Sequence, residues 1–341
     1  MPRGGAHFST QELVRVLSHY DIGIVHEVKA LDAGNRRAPK VIVTADEGKF
    51  ILKRRPRGRD DLSRVEFAHK VQRQLAKKNF PLAKIKPTTD GNQTILQLDN
   101  LIYEFFIFVP GVRYDGSKQA TTDAGRQLGR FHKYLSKLTN GNQFTDESFH
   151  DSTVVRIHLK TIGSSKRITT DRRMRSLSES LTIIYNSSSV RVNQLGFDSW
   201  QGHVVHGDWH PGNMLFVDKK VAAVVDFDGV RMAPTVIDLA NGMLQFSIVA
   251  ARPNPADWPD YFDLDKLTQF VAGYREVIEL DTITIKSLVY LMVETMIAEA
   301  VLPIAATGFF GNLSGLDFLG MILRKATWLR KNRRQITKAL L

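Results

Sequence analysis

Three oxygen-bearing side chains stand out for the chemistry their spacing allows. Asp208 and Asn213 lie five positions apart in His206-Gly207-Asp208-Trp209-His210-Pro211-Gly212-Asn213, and Asp226 follows a short apolar run. A carboxylate such as Asp208 can orient and deprotonate an attacking hydroxyl. Asn213 and Asp226 offer the hard oxygens that hold Mg2+ on nucleotide phosphates, where the ion fills its octahedron with phosphate oxygens and water. Together this is the chemistry of phosphoryl transfer. The same stretch contains the elements that must position these groups. Residues 204–205, 214–217 and 221–225 are short apolar runs, and Asp218, Lys219 and Lys220 form a turn between the last two. Runs this short, bounded by turn residues, fit buried strands better than helices. Asp208, Asn213 and Asp226 are therefore expected at the ends of one small hairpin. Two other readings compete. One is a polar loop that satisfies its own backbone. The other is a metal hydrolase with His206, His210 and Asp208 as ligands, which lacks a further His cluster to complete an open site.

The Asp-to-Asn spacing, followed by a later metal-binding Asp, is also the order of the protein-kinase catalytic loop. HGDWHPGN followed by VVDFD resembles the aminoglycoside phosphotransferase, choline kinase and type II homoserine kinase superfamily. The resemblance implies an α+β, protein-kinase-like two-lobed fold. Residues 1–109 would be an antiparallel-sheet lobe that binds nucleotide, and residues 110–341 a mainly helical catalytic and substrate-binding lobe, with MgATP in the cleft. It implies that Asp208 is catalytic and that Asn213 and Asp226 bind Mg2+. Lys53 would contact the nucleotide phosphates and be held by Glu66. Gly34 and Asn35 would lie in the loop over the phosphates. Ile107, Phe108 and Val109 would form the hinge whose backbone meets the adenine. Asp238 would support the catalytic loop by hydrogen bonds, with His206 and His210 bracing it and Asp228 in an outer shell or at a second metal.

Several of these residues have plainer readings. There is no GxGxxG at Gly34, and Gly-Asn is an ordinary turn. Glu66 could be a solvated helix charge paired to Lys70 four residues on. Asp238 could complement a helix N-terminus. Lys53 ends the run Phe50-Ile51-Leu52 but is followed by Arg54 and Arg55, so alternation leaves open which cation points inward. Ile107 stands where many members carry an acid, which matters little for backbone contacts.

The chain has 341 residues, enough for two domains, and 43% hydrophobic content. With no cysteine it has no disulfide, thiolate zinc site or cysteine nucleophile. That suits a reducing cytoplasm, the expected location, and the first eleven residues show no secretory pattern. The most apolar long run, 287–310, contains Glu294, Glu299 and Pro303, and reads as a buried helix plus a loop rather than a membrane span. The net charge of +12 is spread over runs at 53–59, 167–175 and 324–334. No zinc finger, RRM signature or aromatic-basic alternation accompanies it, so nucleic acid is not the expected partner. The charge also disfavours a polycationic acceptor.

Local pattern gives the remaining elements. Helices are expected over 8–20, 60–78, 120–138, 154–162, 174–185, 258–274, 283–302 and 315–341, and strands over 22–30, 40–44, 50–53 and 101–109. Residues 84–97 read as two strands around Asp90-Gly91-Asn92, and Asn186-Ser187-Ser188-Ser189 as a loop. The resemblance points to a small hydroxylated acceptor, amino-acid-like or sugar-like, with the homoserine kinase branch closest. Non-catalytic nucleotide binding and a macromolecular substrate are the alternatives.

Overall fold

Ser9 starts the first element by accepting the N–H of Glu12, whose side chain reaches back to the Ser9 N–H. This reciprocal cap satisfies two otherwise orphaned donors. The computed structural model describes residues 7–31, 38–139, 148–164, 171–250 and 253–341. In chain order the elements are α1 (Thr10–Leu17), β1 (Val25–Ala30), β2 (Lys40–Ala45), β3 (Gly48–Arg54), α2 (Leu62–Ala76), β4 (Leu96–Leu98), β5 (Leu101–Ile107), α3 (Lys118–Leu135), α4 (Thr153–Ser164), α5 (Arg172–Gln194), β6 (His203–Val205), β7 (Met214–Val217), β8 (Lys220–Val224), β9 (Arg231–Ala233), α6 (Val236–Ser247), α7 (Leu264–Arg275), α8 (Thr282–Thr307), β10 (Phe309–Phe310), β11 (Leu313–Ser314) and α9 (Gly315–Leu340). The class is α+β. Gly34 and Asn35, and the turn expected there, lie outside the described residues.

The chain divides into two compact units. One is 1–113 with 213–230, and the other is 114–212 with 231–341. The sequence reading put everything after 109 in one lobe, whereas the β7–β8 hairpin groups with the sheet. The reason is hydrogen bonding: Val112 and Phe216 exchange N–H···O bonds of 2.8 and 2.9 Å, and the Val224 N–H donates to Pro81 O at 2.9 Å.

In the first unit a five-stranded antiparallel sheet runs β1-β2-β3-β5-β4. Its two faces differ. Val41, Val43, Phe50, Leu52, Tyr103 and Phe105 pack with Val16, Leu17, Tyr20 and Ile22 into an apolar core. Period-two alternation puts Lys40, Lys53 and Glu104 on the other face, where register sets them side by side on β2, β3 and β5. The hairpin expected at 84–97 is only partly there: 84–93 is loop, bridged once through Ile85 to Phe106, and β4 pairs with β5 instead. The turn that joins them is Asp99-Asn100, both with positive φ (51° and 60°), a combination that two-residue hairpins favour.

In the second unit α3 and α7 cross so closely that a Cβ on Gly125 would lie 1.9 Å from Phe270 O. On Gly273 it would lie 1.9 Å from Thr122 O. The helix α8 is long and apolar enough to cross a membrane, yet 72% of its most apolar window is buried within the unit. It is a core helix, and it continues through Pro303 to Thr307 rather than ending in a loop there. The segment 186–189 is likewise not a loop, because α5 runs through it without a break. Ser187 and Ser189 return their hydroxyls to the carbonyls of Ile184 and Asn186, three residues back, which lets serines sit inside a helix.

Candidate active site

The sequence-derived site residues are distributed over both units, and each half has its own geometry. In the first unit β3 carries Lys53 onto the polar sheet face, where it is only 7% exposed. Its Nζ donates to both carboxylate oxygens of Asp228, at 2.8 and 2.9 Å. It also lies 3.7 Å from Asp226 and 3.8 Å from Glu104. Burial alone would lower the lysine pKa, but Glu104, Asp228 and Asp226 outweigh it and raise the value, so Lys53 stays charged. Arg55, two residues on and facing the same way, donates Nη2 to Asp228 at 2.9 Å and forks onto Glu104. Arg54 points to the opposite face and pairs with Glu12 at 2.5 Å. The open question of which cation turns inward is thus answered by two of them, Lys53 and Arg55.

Glu66 does not hold Lys53. It sits on an exposed position of α2 and makes no ion pair among the described residues. The buried side chain α2 sends toward this cluster is His69, which bonds Glu104 at 2.7 Å.

Asn213 and Asp226 flank the open end of the β7–β8 hairpin. Met214 pairs with Val224, and one step outward the Val225 N–H donates to Asn213 O at 2.9 Å. Asp226 has positive φ (63°), a conformation Asp tolerates better than most residues, and a 3-10 turn over Phe227–Gly229 follows. Asp226 Oδ1 is buried and accepts no hydrogen bond among the described residues. A carboxylate oxygen with no hydrogen bond, 3.7 Å from the Lys53 ammonium, and the side-chain oxygen of the buried Asn213 are donors of the kind a hard divalent cation such as Mg2+ takes.

At the expected hinge, Ile107 donates its N–H to Lys84 O at 2.8 Å and Phe108 to Lys49 O at 2.9 Å. Those two amides are committed to the fold. Val109 is the member of the trio whose N–H has no backbone partner among the described residues.

In the second unit β6 leads into the loop that carries Asp208. The strand pairs with β9, not with β7, so Asp208 is not on the β7–β8 hairpin. What fixes the loop is Asp238 on α6, which is fully buried. It accepts the backbone N–H of His206 at 2.6 Å and of Gly207 at 2.8 Å. Gly207 turns the chain with positive φ (78°). His132 Nε2 lies 3.3 Å from Asp238, and His132 Nδ1 lies 2.9 Å from the Tyr274 hydroxyl. Burial raises the Asp238 pKa, but His132, His206 and the Gly207 N–H outweigh it, and the group stays ionised below the usual carboxylate range. The His206 ring is buried against the edges of Phe131 and Trp209. His210 Nδ1 accepts the Gly212 N–H at 3.0 Å, and Nε2 lies 3.5 Å from Asp208. Asp208 keeps about half of its side chain exposed.

Two acids escaped the sequence reading. The signal for Glu104 was its place as the one charged residue of an apolar strand: an acid that cannot reach water must be paired. Glu299 on α8 accepts Gln245 Nε2 at 2.7 Å. It keeps solvent access, yet crowding by the surrounding chain, with the Asp208 charge second, pushes its pKa up to about 7. Its signal was a charged residue within a long apolar run.

The model of a phosphotransferase enzyme family matches residues 27–277. No curated protein matches the sequence. Solved structures similar in fold include an amicoumacin kinase in complex with AMP-PNP, Ca2+ and Ami (15% identity, 97% of this chain and 94% of that one, TM-score 0.68). Others are a microcompartment-associated aminopropanol kinase (15%, 96% and 99%, TM-score 0.69) and choline kinase from Cryptosporidium parvum Iowa II (12%, 98% and 98%, TM-score 0.64).

Proposed function

Because the chain belongs to the phosphotransferase enzyme family and so acts on a small-molecule hydroxyl, we propose that it moves the γ-phosphoryl group of ATP to an amino-acid-like or sugar-like alcohol. What carries this reading is the buried Lys53, kept charged by carboxylates in the unit that also holds Asn213 and Asp226. Lys53 suits the nucleotide phosphates, and the Val109 N–H suits the adenine edge. Asn213 and Asp226 would hold Mg2+, which supplies charge neutralisation on the phosphates when bound. Asp208, five residues before Asn213 in the chain, accepts the proton of the acceptor hydroxyl. Oxygen attacks the γ-phosphorus, the bond to the bridging oxygen breaks, and ADP leaves. Asp238 holds the backbone that presents Asp208, and His210 steadies its side chain. Catalysis then comes mostly from positioning and electrostatics.

The acceptor reading favours an amine-bearing alcohol, homoserine-like in size. Glu299 and Asp208 place negative charge in one neighbourhood of the second unit, which suits an ammonium group. The aminopropanol and choline kinases of similar fold are named for alcohols of that kind. Absence of cysteine fits a reducing, ATP-rich compartment such as the cytoplasm.

The test is ADP release from MgATP against pooled hydroxylated metabolites (homoserine, choline, pentose and hexose derivatives, aminoglycosides), with chelator and Asp208→Asn controls. Acceptor-dependent release that needs the metal and falls at least 100-fold in Asp208→Asn is expected. A chain that binds MgATP but turns over no pool would contradict the small-alcohol acceptor. One that binds no nucleotide would contradict the whole reading.

A further inference from the structure

The only charged residue of β5 is Glu104, in LIYEFFI. Sheet register sets it opposite Lys53, and the carboxylate is 1% exposed. Burial would push its pKa up, yet Lys53, His69 and Arg55 hold it well below the usual range. Arg55 grips it with a planar fork, Nε to Oε2 at 2.7 Å and Nη2 to Oε1 at 3.0 Å. His69 closes the other side at 2.7 Å through Nε2. His69 Nδ1 is buried with no hydrogen-bond partner among the described residues, so the Nε2 contact to Glu104 is the ring's polar anchor. The carboxylate is thus held by His69 of α2 and by Arg55, the residue after β3, and Lys53 lies 3.8 Å from Oε2.

The other two carboxylates near Lys53 cannot do the same job throughout a reaction. Asp226 is the expected metal ligand and Asp228 is two residues from it, so a divalent cation draws on that end of the cluster. Lys53 and Arg55 face three carboxylates, Glu104, Asp226 and Asp228, with two positive charges. Lys40 on β2 adds a third positive charge nearby, so a divalent cation arriving at this face leaves a surplus of positive charge that phosphates can meet. Glu104, on a different strand, stays with the lysine.

We propose that Glu104, clamped by Arg55 and His69, is the positioning residue that orients Lys53 toward the nucleotide phosphates, the task the family pattern gives to Glu66. The proposal rests on the kinase reading above. It makes the lysine's counter-charge a strand residue fixed by sheet register. In this chain α2 contributes His69 to the network, while its own acid, Glu66, is exposed.

The test is calorimetric binding of MgATP and of adenosine to the full chain, with the ligand-free melting temperature of each variant recorded first. In Glu104→Gln, MgATP affinity should fall about tenfold or more while adenosine affinity stays within about twofold, because adenosine has no phosphates for Lys53 to meet. In a Lys53→Met background the Glu104 substitution should add less than about twofold, since its effect runs through the lysine. If Glu104→Gln does not fold, Glu104→Asp keeps the charge but withdraws it from Lys53, and the same MgATP-selective loss is expected in smaller measure. Equal weakening of MgATP and adenosine would overturn the proposal, as would an undiminished effect in the Lys53→Met background. A selective loss at Glu66→Gln with none at Glu104 would also overturn it. Wild-type chain that binds no MgATP would instead remove the kinase reading on which it rests.

Discussion

Asp238 gives the sharpest test of how the Asp208 loop is held. Replacing it by alanine leaves two backbone amides, His206 and Gly207, buried without the carboxylate that accepts them at 2.6 and 2.8 Å. Hydrogen bonds to a charged acceptor contribute about 1.5–3 kcal/mol each, so the pair amounts to ~3–6 kcal/mol. Part of that is offset because a carboxylate no longer has to be buried, which leaves a net cost of about 3–4 kcal/mol. Asparagine should do little better: it keeps one acceptor but turns an N–H toward the second amide. The sensitive assay is hydrogen exchange of the segment that carries residues 206–208. A loss of ~3 kcal/mol raises its opening constant roughly 100-fold, and turnover should fall with it because Asp208 is no longer fixed. The pH dependence has a definite sign. The folded pKa of Asp238 lies below the ordinary carboxylate value. Its stabilisation is therefore complete above that ordinary value and disappears as pH falls through the depressed one. Wild-type protection at this segment should drop in strong acid, and Asp238→Asn should lack that drop. Unchanged exchange at 206–208 in Asp238→Ala would refute the reasoning, because the Asp238 carboxylate is the acceptor assigned to both amides.

Two further outcomes follow from the second unit. Gly125→Ala forces a methyl against Phe270 O where 1.9 Å is available, so α3 and α7 must part, at a cost of about 3 kcal/mol read from thermal unfolding; an unchanged melting temperature would contradict the crossing. Glu299, with its pKa raised to about 7, binds its proton more tightly folded than unfolded, so stability should decline as pH rises from the ordinary carboxylate range to about 7. Over the same rise an amine-bearing acceptor should bind more strongly as the carboxylate forms, and Glu299→Gln should flatten both trends; identical profiles for wild type and variant would contradict them.

Local chemistry was legible where one short stretch decides it. The helices expected over 60–78 and 120–138 and the β7–β8 turn at Asp218-Lys219 all depend on residues within a few positions of each other. The hairpin at 84–97 was misplaced because Asp90-Gly91-Asn92 is the stronger turn signal by composition. The real turn, Asp99-Asn100, draws on the tolerance of Asp and Asn for positive φ without a glycine. The serine cluster of α5 was misread for a similar reason. Propensity counts a serine against helix, whereas its hydroxyl can bond back within the helix and the apolar face of α5 packs regardless.

Partner choice at a distance was harder to read, and the lysine shows why. Sequence places Lys53 at the end of an apolar run and Glu66 a turn into the next helix, and nothing local contradicts their pairing. The outcome depends on the rotation of α2, which turns His69 inward and Glu66 outward. It depends equally on the register of β5, which must be right to the residue before Glu104 rather than a phenylalanine faces β3. Neither quantity is encoded near Lys53. Yet burial constrained the answer in advance. Leu101–Ile107 carries one acid among six apolar or aromatic residues, and a strand with that composition sits in the interior of its sheet. A carboxylate there must find cations, and the adjacent strand with the residue after it offers two, Lys53 and Arg55. The charge that had nowhere else to go, rather than the charge at the familiar position, identifies the partner.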